Sequence, residues 1–223
     1  MDRKIIITED GSHSIFIPEL NENYHSVHGA LQESIHIFIR NGLDRCHTPH
    51  LSILEIGYGT GLNALLTFHK ASETKQSLYY ESWEKYPLIA DEYEKLNYSV
   101  LTGIDSDLFT ALSEAPWNAT HEIAPGAVIK KVLGDIREFR SDRFFDLVYF
   151  DAFGPNVQPE LWTAAVFRSI SSCQRSGAIL VTYSVKGSVT RNLKEAGYQI
   201  EKVPGPPGKR QITVATKNSA YYE

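Results

Sequence analysis

The stretch LSILEIGYGTGLNALLTFHKA, Leu51 to Ala71, constrains the fold more than any other part of the sequence. It begins with the apolar run Leu51–Ile56, which is typical of a buried strand in a parallel sheet. The LNALLTFHKA that follows has apolar residues at the spacing of a helix that packs on such a sheet. The glycines between them therefore form a turn at the carboxyl end of a strand, where open α/β sheets bind their ligands.

The glycine pattern of this turn indicates which ligand to expect. Glycine tolerates positive φ and leaves no Cβ between the backbone and a ligand. The dinucleotide fingerprint G-x-G-x-x-G needs a third small residue where this chain has Leu62. That difference argues against a pyrophosphate and favours S-adenosylmethionine (SAM), which contains no phosphate. A tight turn with a purely structural purpose is the alternative. The predicted cofactor contacts in this turn are Gly57, Tyr58, Gly59, Gly61 and Asn63.

Composition places the chain among ordinary globular proteins, with 42% hydrophobic and 22% charged residues. Its 223 residues suffice for one large α/β domain. Apolar runs stay well short of the roughly 20 residues that span a bilayer, and MDRKIIITEDGSH lacks the apolar core of a signal peptide. We therefore expect a cytoplasmic protein. The cysteines, Cys46 and Cys173, and the histidines show no metal-binding spacing, so no metal is predicted.

Alternating strand and helix patterns predict one domain with a short N-terminal extension. KIIIT and SIFIP, separated by EDGSH, predict a β-hairpin, and we place the extension at residues 1–27 and the main domain at 28–223. Later strand patterns, ending in YQIEKVPG and RQITVATK, predict a mostly parallel, seven-stranded Rossmann-like sheet with an antiparallel C-terminal strand at one edge. Helices are predicted from Ala30 to Ile39 and in YPLIADEYEKL, DSDLFTALSEA, PELWTAAVFRSISS and SVTRNLKEAG.

Acidic residues follow several predicted strands, where they could accept hydrogen bonds from SAM. Ribose hydroxyls and the adenine amino group are donors that carboxylates accept well. Glu84, at the end of the second strand, is the predicted ribose ligand, with Glu81 as the competing choice. Asp135, after the third strand, is predicted to accept from the adenine amino group or else to cap a helix. Glu55 contacts the methionine moiety or holds the glycine turn, and both interpretations stay open.

The segment DAFGP, Asp151 to Pro155, follows the apolar strand DLVYF. It resembles the D-P-P-[FY] loop of methyltransferases that act on amino groups. A carboxylate here can accept hydrogen bonds from a target amine and favour the charge that develops on nitrogen during methyl transfer. Asp151 and Phe153 are therefore the predicted catalytic residues, and Asp151 is also a predicted cofactor contact. A loop-capping aspartate beside a core phenylalanine is the alternative.

Several motifs together resemble one family of enzymes. The chain contains, in order, EIGYGTGLN, WEKYPL, DAFGP with PELW, TYSVKGSVTRNLKEAG and PGPPGKR. This order and spacing are similar to those of the methyltransferase domain of MnmC-type tRNA-modifying enzymes, and NYHSVHGALQESIHIFI is similar to their N-terminal signature. The resemblance implies the class I SAM-dependent methyltransferase fold. It also implies N-methylation of the aminomethyl group on the wobble uridine of certain tRNAs, giving 5-methylaminomethyl-(2-thio)uridine.

Two-domain members of this family also carry an FAD-dependent oxidase domain. This chain has no length left for that domain, so we expect the stand-alone, MnmD-like methyltransferase form, supplied with aminomethyluridine by other enzymes. The family often has a lysine in the loop between DAF and PELW, whereas this chain reads GPNVQ. No phosphate contact is therefore assigned to that loop.

Residues that could contact tRNA are few and local. The net charge of −5 gives no overall signal for nucleic acid, so RNA binding needs a local basic patch. A solvated helix face explains Lys194, and also Arg191, as well as RNA binding does. The predicted contacts with the anticodon stem-loop of tRNA are Tyr24, Lys186, Lys209 and Arg210.

Two other functions use the same residues. A methyltransferase for a small-molecule amine suits the acidic net charge, and a non-catalytic SAM- or nucleotide-binding module is the alternative outside enzymes. The acceptor Asp151 argues against the second, and Leu62 argues against an NAD-dependent oxidoreductase.

Overall fold

The computed structural model describes residues 2–219, which form two β-sheets with flanking helices. The smaller sheet consists of β1 (Lys4–Ile7), β2 (His13–Ile17) and β3 (Glu22–Asn23), paired antiparallel. The predicted N-terminal hairpin is therefore confirmed, with a short third strand added. The division into residues 1–27 and 28–223 stays a prediction, and its residues 1 and 220–223 lie outside the described residues.

Eight strands of the described chain form the larger sheet. They are β4 (His50–Ile56), β5 (Ser77–Glu84), β6 (Ala119–Ala124), β7 (Ala127–Leu133), β8 (Phe145–Phe150), β9 (Gln174–Thr182), β10 (Tyr198–Pro204) and β11 (Gln211–Lys217). Their spatial order is β10-β11-β9-β8-β4-β5-β7-β6. Pairs that include β6 or β11 are antiparallel and the others are parallel, which confirms the predicted fold class.

Two details differ from the predicted sheet. The additional strand, β6, lies at an edge and exposes nearly all its side chains, so its sequence ATHEIA lacks the alternation of a half-buried strand. The C-terminal strand β11 lies one position inside the opposite edge, which β10 occupies. β11 buries Ile212, Val214 and Ala215, whereas β10 is largely exposed, and the more apolar strand takes the inner position.

Helices cover both faces of the larger sheet. They are α1 (Ala30–Ser34), continued by a π-helical segment (Ile35–Arg40), α2 (Leu62–Thr74), α3 (Ala90–Tyr93), α4 (Tyr98–Thr102), α5 (Ser106–Glu114), α6 (Ala164–Ser172) and α7 (Gly187–Glu195). The helix predicted in YPLIADEYEKL is shortened to α3, because Ile89 is extended and its N–H is held by the Glu92 carboxylate at 2.9 Å. Within residues 2–219, every helix is too short or too polar to cross a membrane.

Two hydrophobic clusters lie on opposite faces of the larger sheet. Along β8, Tyr149 packs in the cluster with α1, α2 and α5, and Val148 packs in the cluster with α6 and α7, as strand alternation requires. α2 begins directly after Gly61 and buries Leu62 and Leu65, each of which contributes roughly 1.5–3 kcal/mol. This burial fixes the glycine turn at the carboxyl end of β4.

Candidate active site

A cavity of about 630 Å³ opens at the carboxyl ends of β4, β5, β7 and β8. Its volume lies within the range of about 300–1,000 Å³ that is usual for small-molecule sites. Most of the predicted site residues line it: Tyr24, Gly57, Tyr58, Gly59, Asn63, Glu84, Asp135, Asp151, Phe153 and Lys209. The others lie outside its lining: Glu55, Gly61, Lys186 and Arg210.

The glycine turn lies close to two other segments of the site. At Gly57, with φ of 92°, an added Cβ would lie 2.6 Å from the carbonyl oxygen of Asp151. At Gly59, with φ of 51°, an added Cβ would lie 3.0 Å from Cδ1 of Tyr24. Both positions combine positive φ with a neighbour nearer than ordinary contact, and only glycine meets both demands without strain. The turn is therefore packed against the loop after β8 and against the Tyr24 ring.

Tyr58 fastens this turn to the end of α5. Its hydroxyl donates to Leu112 O at 3.0 Å, and Lys131 Nζ donates to Leu112 O at 3.0 Å and to Ser113 O at 2.7 Å. Lys131 is 1% exposed and lies between the rings of Tyr58 and Trp117. Burial lowers the pKa of Lys131 to about 8. The carbonyls at the end of a helix attract a cation, which offsets part of the cost of burying it.

Asn63 bridges two acidic side chains at the floor of the cavity. Its Nδ2 donates to Glu55 Oε1 at 3.2 Å and to Asp151 Oδ2 at 2.9 Å, and the other Glu55 oxygen accepts from Ser82 Oγ at 2.6 Å. Burial raises the pKa of Glu55 to about 8. Burial, and then the charge of Glu33, raise the pKa of Asp151 well above its usual range. Glu55 therefore holds Asn63, which in turn positions Asp151.

The buried carboxyl of Glu55 gives a testable pH dependence. Its folded-state pKa of about 8 lies above the ordinary value of 4.5, so the fold keeps a proton that the unfolded chain loses, and stability falls as pH rises between these values. Glu55→Gln removes this titration and preserves the bonds to Asn63 and Ser82. Relative to wild type, its Tm is expected to rise by about 3 °C or more from pH 5 to pH 8 in calorimetry.

The matched control is Glu94→Gln, which changes an exposed glutamate. Its Tm difference from wild type is expected to be the same at both pH values. If Tm depended on pH in the same way for Glu55→Gln and for wild type, the carboxyl of Glu55 would be ionised in the fold at pH 5.

The geometry distinguishes Glu84 from Glu81. Glu84 lines the cavity, and its carboxylate accepts from the backbone N–H of Gly59 at 3.1 Å and of Tyr86 at 2.8 Å. Glu81 is buried outside the cavity lining, where it pairs with Lys130 at 3.2 Å. Glu84 is therefore the carboxylate available to a ligand, while Glu81 is satisfied within the fold. The contact of Glu84 with the ribose stays a prediction.

Asp135 has the capping role considered for it, and its contact with the adenine amino group stays a prediction. It lines the cavity, and it caps a 3₁₀ turn by accepting from the Arg137 backbone N–H at 3.0 Å. Its carboxylate also pairs with Arg137 Nη2 at 2.6 Å and with Lys85 Nζ at 3.0 Å. The hydrogen bond from the Arg137 side chain holds the pKa of Asp135 far below its usual range. Asp135 is thus ionised and firmly positioned at the end of β7.

Aromatic side chains hold the loop after β8. Trp162 Nε1 donates to Phe153 O at 2.8 Å, and Tyr183 Oη donates to Ala152 O at 2.8 Å. The Phe153 ring packs edge-on against Tyr24, with centroids 5.2 Å apart. Phe153 therefore faces the cavity rather than filling the core, and together with Tyr24 it forms an aromatic wall beside Asp151.

The basic residues predicted to contact tRNA occupy different environments. Lys209 Nζ pairs with Glu33 Oε1 at 2.9 Å and lies over the Tyr183 ring inside the cavity. Arg210 is exposed, and Lys186 is exposed in contact with Asn156. The charge of Lys209 is thus already paired within the cavity, and the contacts of Lys209, Arg210 and Lys186 with tRNA stay predictions.

Sequence reasoning missed three residues of the site: Glu33, Lys131 and Tyr183. Glu33 is acidic on the otherwise buried face of α1, and Lys131 interrupts the apolar strand AVIKKVL. A charged residue at a position expected to be buried was the available signal for both. No comparable signal in the sequence marks Tyr183.

The residues around the cavity fit SAM. The Asn63 Oδ1 atom is buried beside the cavity and has no hydrogen-bond partner among the described residues, so it can accept from a donor of the cofactor. Glu84 and Asp151 add carboxylate acceptors suited to ribose hydroxyls and an ammonium group. Within residues 2–219, no three His, Cys, Asp or Glu side chains are grouped to hold a metal ion.

Comparison with known proteins identifies the family. A family described as S-adenosyl-L-methionine-dependent methyltransferase matches residues 106–218, about half of the chain. The chain belongs to this family. The cofactor of the methyltransferase is therefore SAM, as the glycine turn predicted.

The methyltransferase is also similar to proteins of the predicted MnmC type. It is 33% identical to a "tRNA 5-methylaminomethyl-2-thiouridine biosynthesis bifunctional protein MnmC" of Cupriavidus necator, over 90% of this chain and 32% of that protein. A Cupriavidus metallidurans protein of the same name is 32% identical, over 94% of this chain and 33% of that protein. The methyltransferase thus spans about a third of the length of these curated relatives.

The crystal structure of MnmC2 from Aquifex aeolicus supports the same assignment. It superposes with a TM-score of 0.82 at 27% identity, over 98% of this chain and 71% of that chain. The resemblance to MnmC-type methyltransferases is confirmed by these relatives and by this structure.

Proposed function

We propose that the methyltransferase transfers a methyl group from SAM to the amino nitrogen of 5-aminomethyluridine, with or without a 2-thio group, at the wobble position of tRNA. The observation that carries the proposal is Asp151, which Asn63 holds at the cavity beside the aromatic wall of Tyr24 and Phe153. The names of the MnmC relatives, which place those proteins in 5-methylaminomethyl-2-thiouridine biosynthesis, support this substrate.

Residues from two strand ends and from the start of α2 would hold the cofactor. Glu84 would accept from the ribose hydroxyls, Asp135 from the adenine amino group, and Asn63 Oδ1 from the ammonium group. Bound SAM supplies an electrophilic methyl group on a positively charged sulfur. The buried Glu55 holds the Asn63 side chain, and Tyr58 anchors the glycine turn to the end of α5.

Asp151 acts on the acceptor amine. An alkylammonium has no lone pair, so the aminomethyl group must be neutral when its nitrogen forms the new N–C bond and the C–S bond breaks. Asp151 accepts a hydrogen bond from this amine and stabilises the positive charge that develops on nitrogen. The methylated nitrogen then loses one proton, which Asp151 accepts. The rings of Tyr24 and Phe153 flank the acceptor base and exclude water from the reacting atoms.

Methylation of tRNA in vitro tests the proposal. Purified protein and SAM are incubated with tRNA that carries aminomethyluridine, and the nucleosides are analysed by mass spectrometry. We expect conversion to 5-methylaminomethyluridine, with the free nucleoside a much poorer substrate. Loss of the protein from cells should likewise cause aminomethyluridine to accumulate. No methylation of this tRNA by folded, SAM-binding protein would contradict the proposal.

A small-molecule amine is the second candidate substrate. The pairing of Lys209 with Glu33 favours it, since this pairing removes one cation from the predicted RNA contacts. The two candidates differ in how the free nucleoside behaves. If the nucleoside were methylated as efficiently as tRNA, the small-molecule assignment would replace the tRNA assignment.

The exposed cations Arg210 and Lys186 give a prediction about RNA binding. Changing both to Glu should raise the KM for tRNA, more at low salt than at high salt, because each lost phosphate contact flattens the log–log salt dependence by about one unit or less. The affinity for SAM should stay within a few fold. Lys75→Glu is the control, because Lys75 follows α2 at the end opposite the glycine turn. An unchanged KM for the double variant at low salt would exclude docking through these two residues.

A further inference from the structure

The Lys209–Glu33 ion pair joins two segments that are far apart in the chain. It lies across the part of the cavity where the acceptor amine is proposed to bind, which we call the acceptor side. Lys209 lies in the loop between β10 and β11, and Glu33 lies on α1, with their charged atoms 2.9 Å apart. Glu33 is also fixed by the Ser26 N–H, which donates to its second oxygen at 2.7 Å. Their side chains are only 27% and 10% exposed. The lysine is therefore directed inward and held there.

Two histidine side chains lie beside this ion pair and contact the β10–β11 loop or its start. An added Cβ at Gly208 would collide with the His28 ring, so the loop before Lys209 rests directly against the segment before α1. His36 Nε2 is 2.8 Å from Pro204 O, which ties α1's continuation to the start of the same loop. The position of the Lys209 ammonium is thus determined by the fold rather than by solvent.

Several charged or titratable groups surround the cavity that Asp151 lines. Glu33 on α1, Lys209 in the β10–β11 loop and Tyr183 after β9 line the same cavity, and Glu55 on β4 is linked to Asp151 through Asn63. Burial and the charge of Glu33 raise the pKa of Asp151, and the Lys209 ammonium opposes them. The two members of the Lys209–Glu33 pair therefore act on Asp151 in opposite directions.

We propose that Lys209, held by Glu33, is a positioning residue whose cation favours the ionised form of Asp151, the form that can accept the proton of the methylated amine. The proposal rests on the proposed function. In the step concerned, the new N–C bond has formed and the C–S bond has broken, and one proton passes from the cationic nitrogen to Asp151. A protonated Asp151 could not accept it, and burial and the Glu33 carboxylate would favour that inactive state more strongly if Lys209 were absent.

This role differs in a measurable way from a phosphate contact. A phosphate contact would change the KM for tRNA with salt and leave the pH dependence unaltered. A charge that acts through Asp151 changes the pH dependence of kcat/KM, with its acid limb moved to higher pH when the cation is lost. The free substrate amine titrates in the same way whichever variant is used. Differences between the pH profiles of kcat/KM therefore arise from groups of the protein.

The experiment compares Lys209→Met, Lys209→Arg and Glu33→Gln with wild type on aminomethyl-containing tRNA between pH 6 and pH 9. For Lys209→Met, the ratio of kcat/KM at pH 9 to that at pH 6 is expected to rise about tenfold. Glu33→Gln removes a repulsive carboxylate and should lower the same ratio. Lys209→Arg retains the cation and should keep the wild-type profile. Lys202→Met, on exposed β10, is the matched control and should also keep it.

The affinity for S-adenosylhomocysteine, measured by calorimetry, shows whether a variant is folded before its pH profile is interpreted. Variants that bind it within a few fold of wild type are folded at the cofactor site, and their profiles can be compared. Profiles of Lys209→Met and Glu33→Gln that coincide with wild type, or that move in the same direction, would overturn the proposal while leaving the methylation reaction intact. Inactive wild-type protein would instead contradict the proposed function itself.

Discussion

Replacing Asp151 with alanine is expected to lower kcat for methyl transfer by about 10²-fold or more and to leave the affinity for S-adenosylhomocysteine within a few fold. The reason is that Asp151 presents a fixed acceptor to the amine, and removing one preorganised electrostatic partner from a shielded site typically costs this much. Single-turnover rates with aminomethyl-containing tRNA measure the first quantity, and calorimetry measures the second.

Asp151→Asn separates the charge of this residue from its shape. The asparagine keeps an oxygen for the hydrogen bond from Asn63 Nδ2, which is 2.9 Å long in the wild type, but it cannot accept a proton. We expect a loss of activity close to that of the alanine variant. Nearly full activity of Asp151→Asn would mean that hydrogen-bond geometry alone is needed. A loss of cofactor affinity equal to the loss of rate would make Asp151 a cofactor residue.

Gly59→Val is expected to weaken binding of S-adenosylhomocysteine by about 10²-fold or more. Position 59 has φ of 51°, which a β-branched residue adopts only with strain, and an added Cβ would lie 3.0 Å from Cδ1 of Tyr24. The valine must therefore displace either the turn or the Tyr24 ring. The expected loss of affinity therefore has two causes, the disturbed packing of the turn against Tyr24 and the space that the cofactor needs. Calorimetry with the purified variant measures it.

Gly177→Val is the matched control for this prediction. Gly177 has φ of 82°, and an added Cβ there would have nothing within 4 Å, so valine introduces backbone strain without a steric neighbour. Its cofactor affinity is expected to match wild type even if its Tm falls. Equal losses of affinity in both variants would show that general destabilisation, not the glycine turn, controls binding. Full affinity of Gly59→Val would remove this turn from the cofactor site.

Local hydrophobic patterns predicted most of the fold. Buried strands such as β4 and β8 are mostly apolar because helices cover both of their faces, and α2 follows the glycine turn with helical spacing. The edge strand β6 could not be found in this way, because its exposed side chains contribute little to the core. The inner position of β11 depends on pairing between distant strands, which no local pattern specifies.

Local sequence patterns likewise predicted only some features of the candidate site. Rules about strand ends placed Glu84 and Asp151 correctly on the cavity, since the carboxyl ends of parallel strands meet at one edge of a sheet. The tRNA contact predicted for Lys209 was inferred from its place in the proline- and glycine-rich loop PGPPGKR. Its partner Glu33 lies near the other end of the chain, and a buried ion pair between such distant residues leaves no trace in local sequence. The individual roles in binding and catalysis stay predictions until the variants are measured.

The separation of Glu33 and Lys209 along the chain also orders the assembly of the site during synthesis. The cofactor side is built from β4, α2, β5, β7 and β8, all of which precede residue 151. The acceptor side needs Lys209 to meet α1, so it closes only after the β10–β11 loop has left the ribosome. Contacts of such long range form late in folding. A nascent chain would therefore complete its cofactor half first, and its acceptor half would take shape only with the last strands.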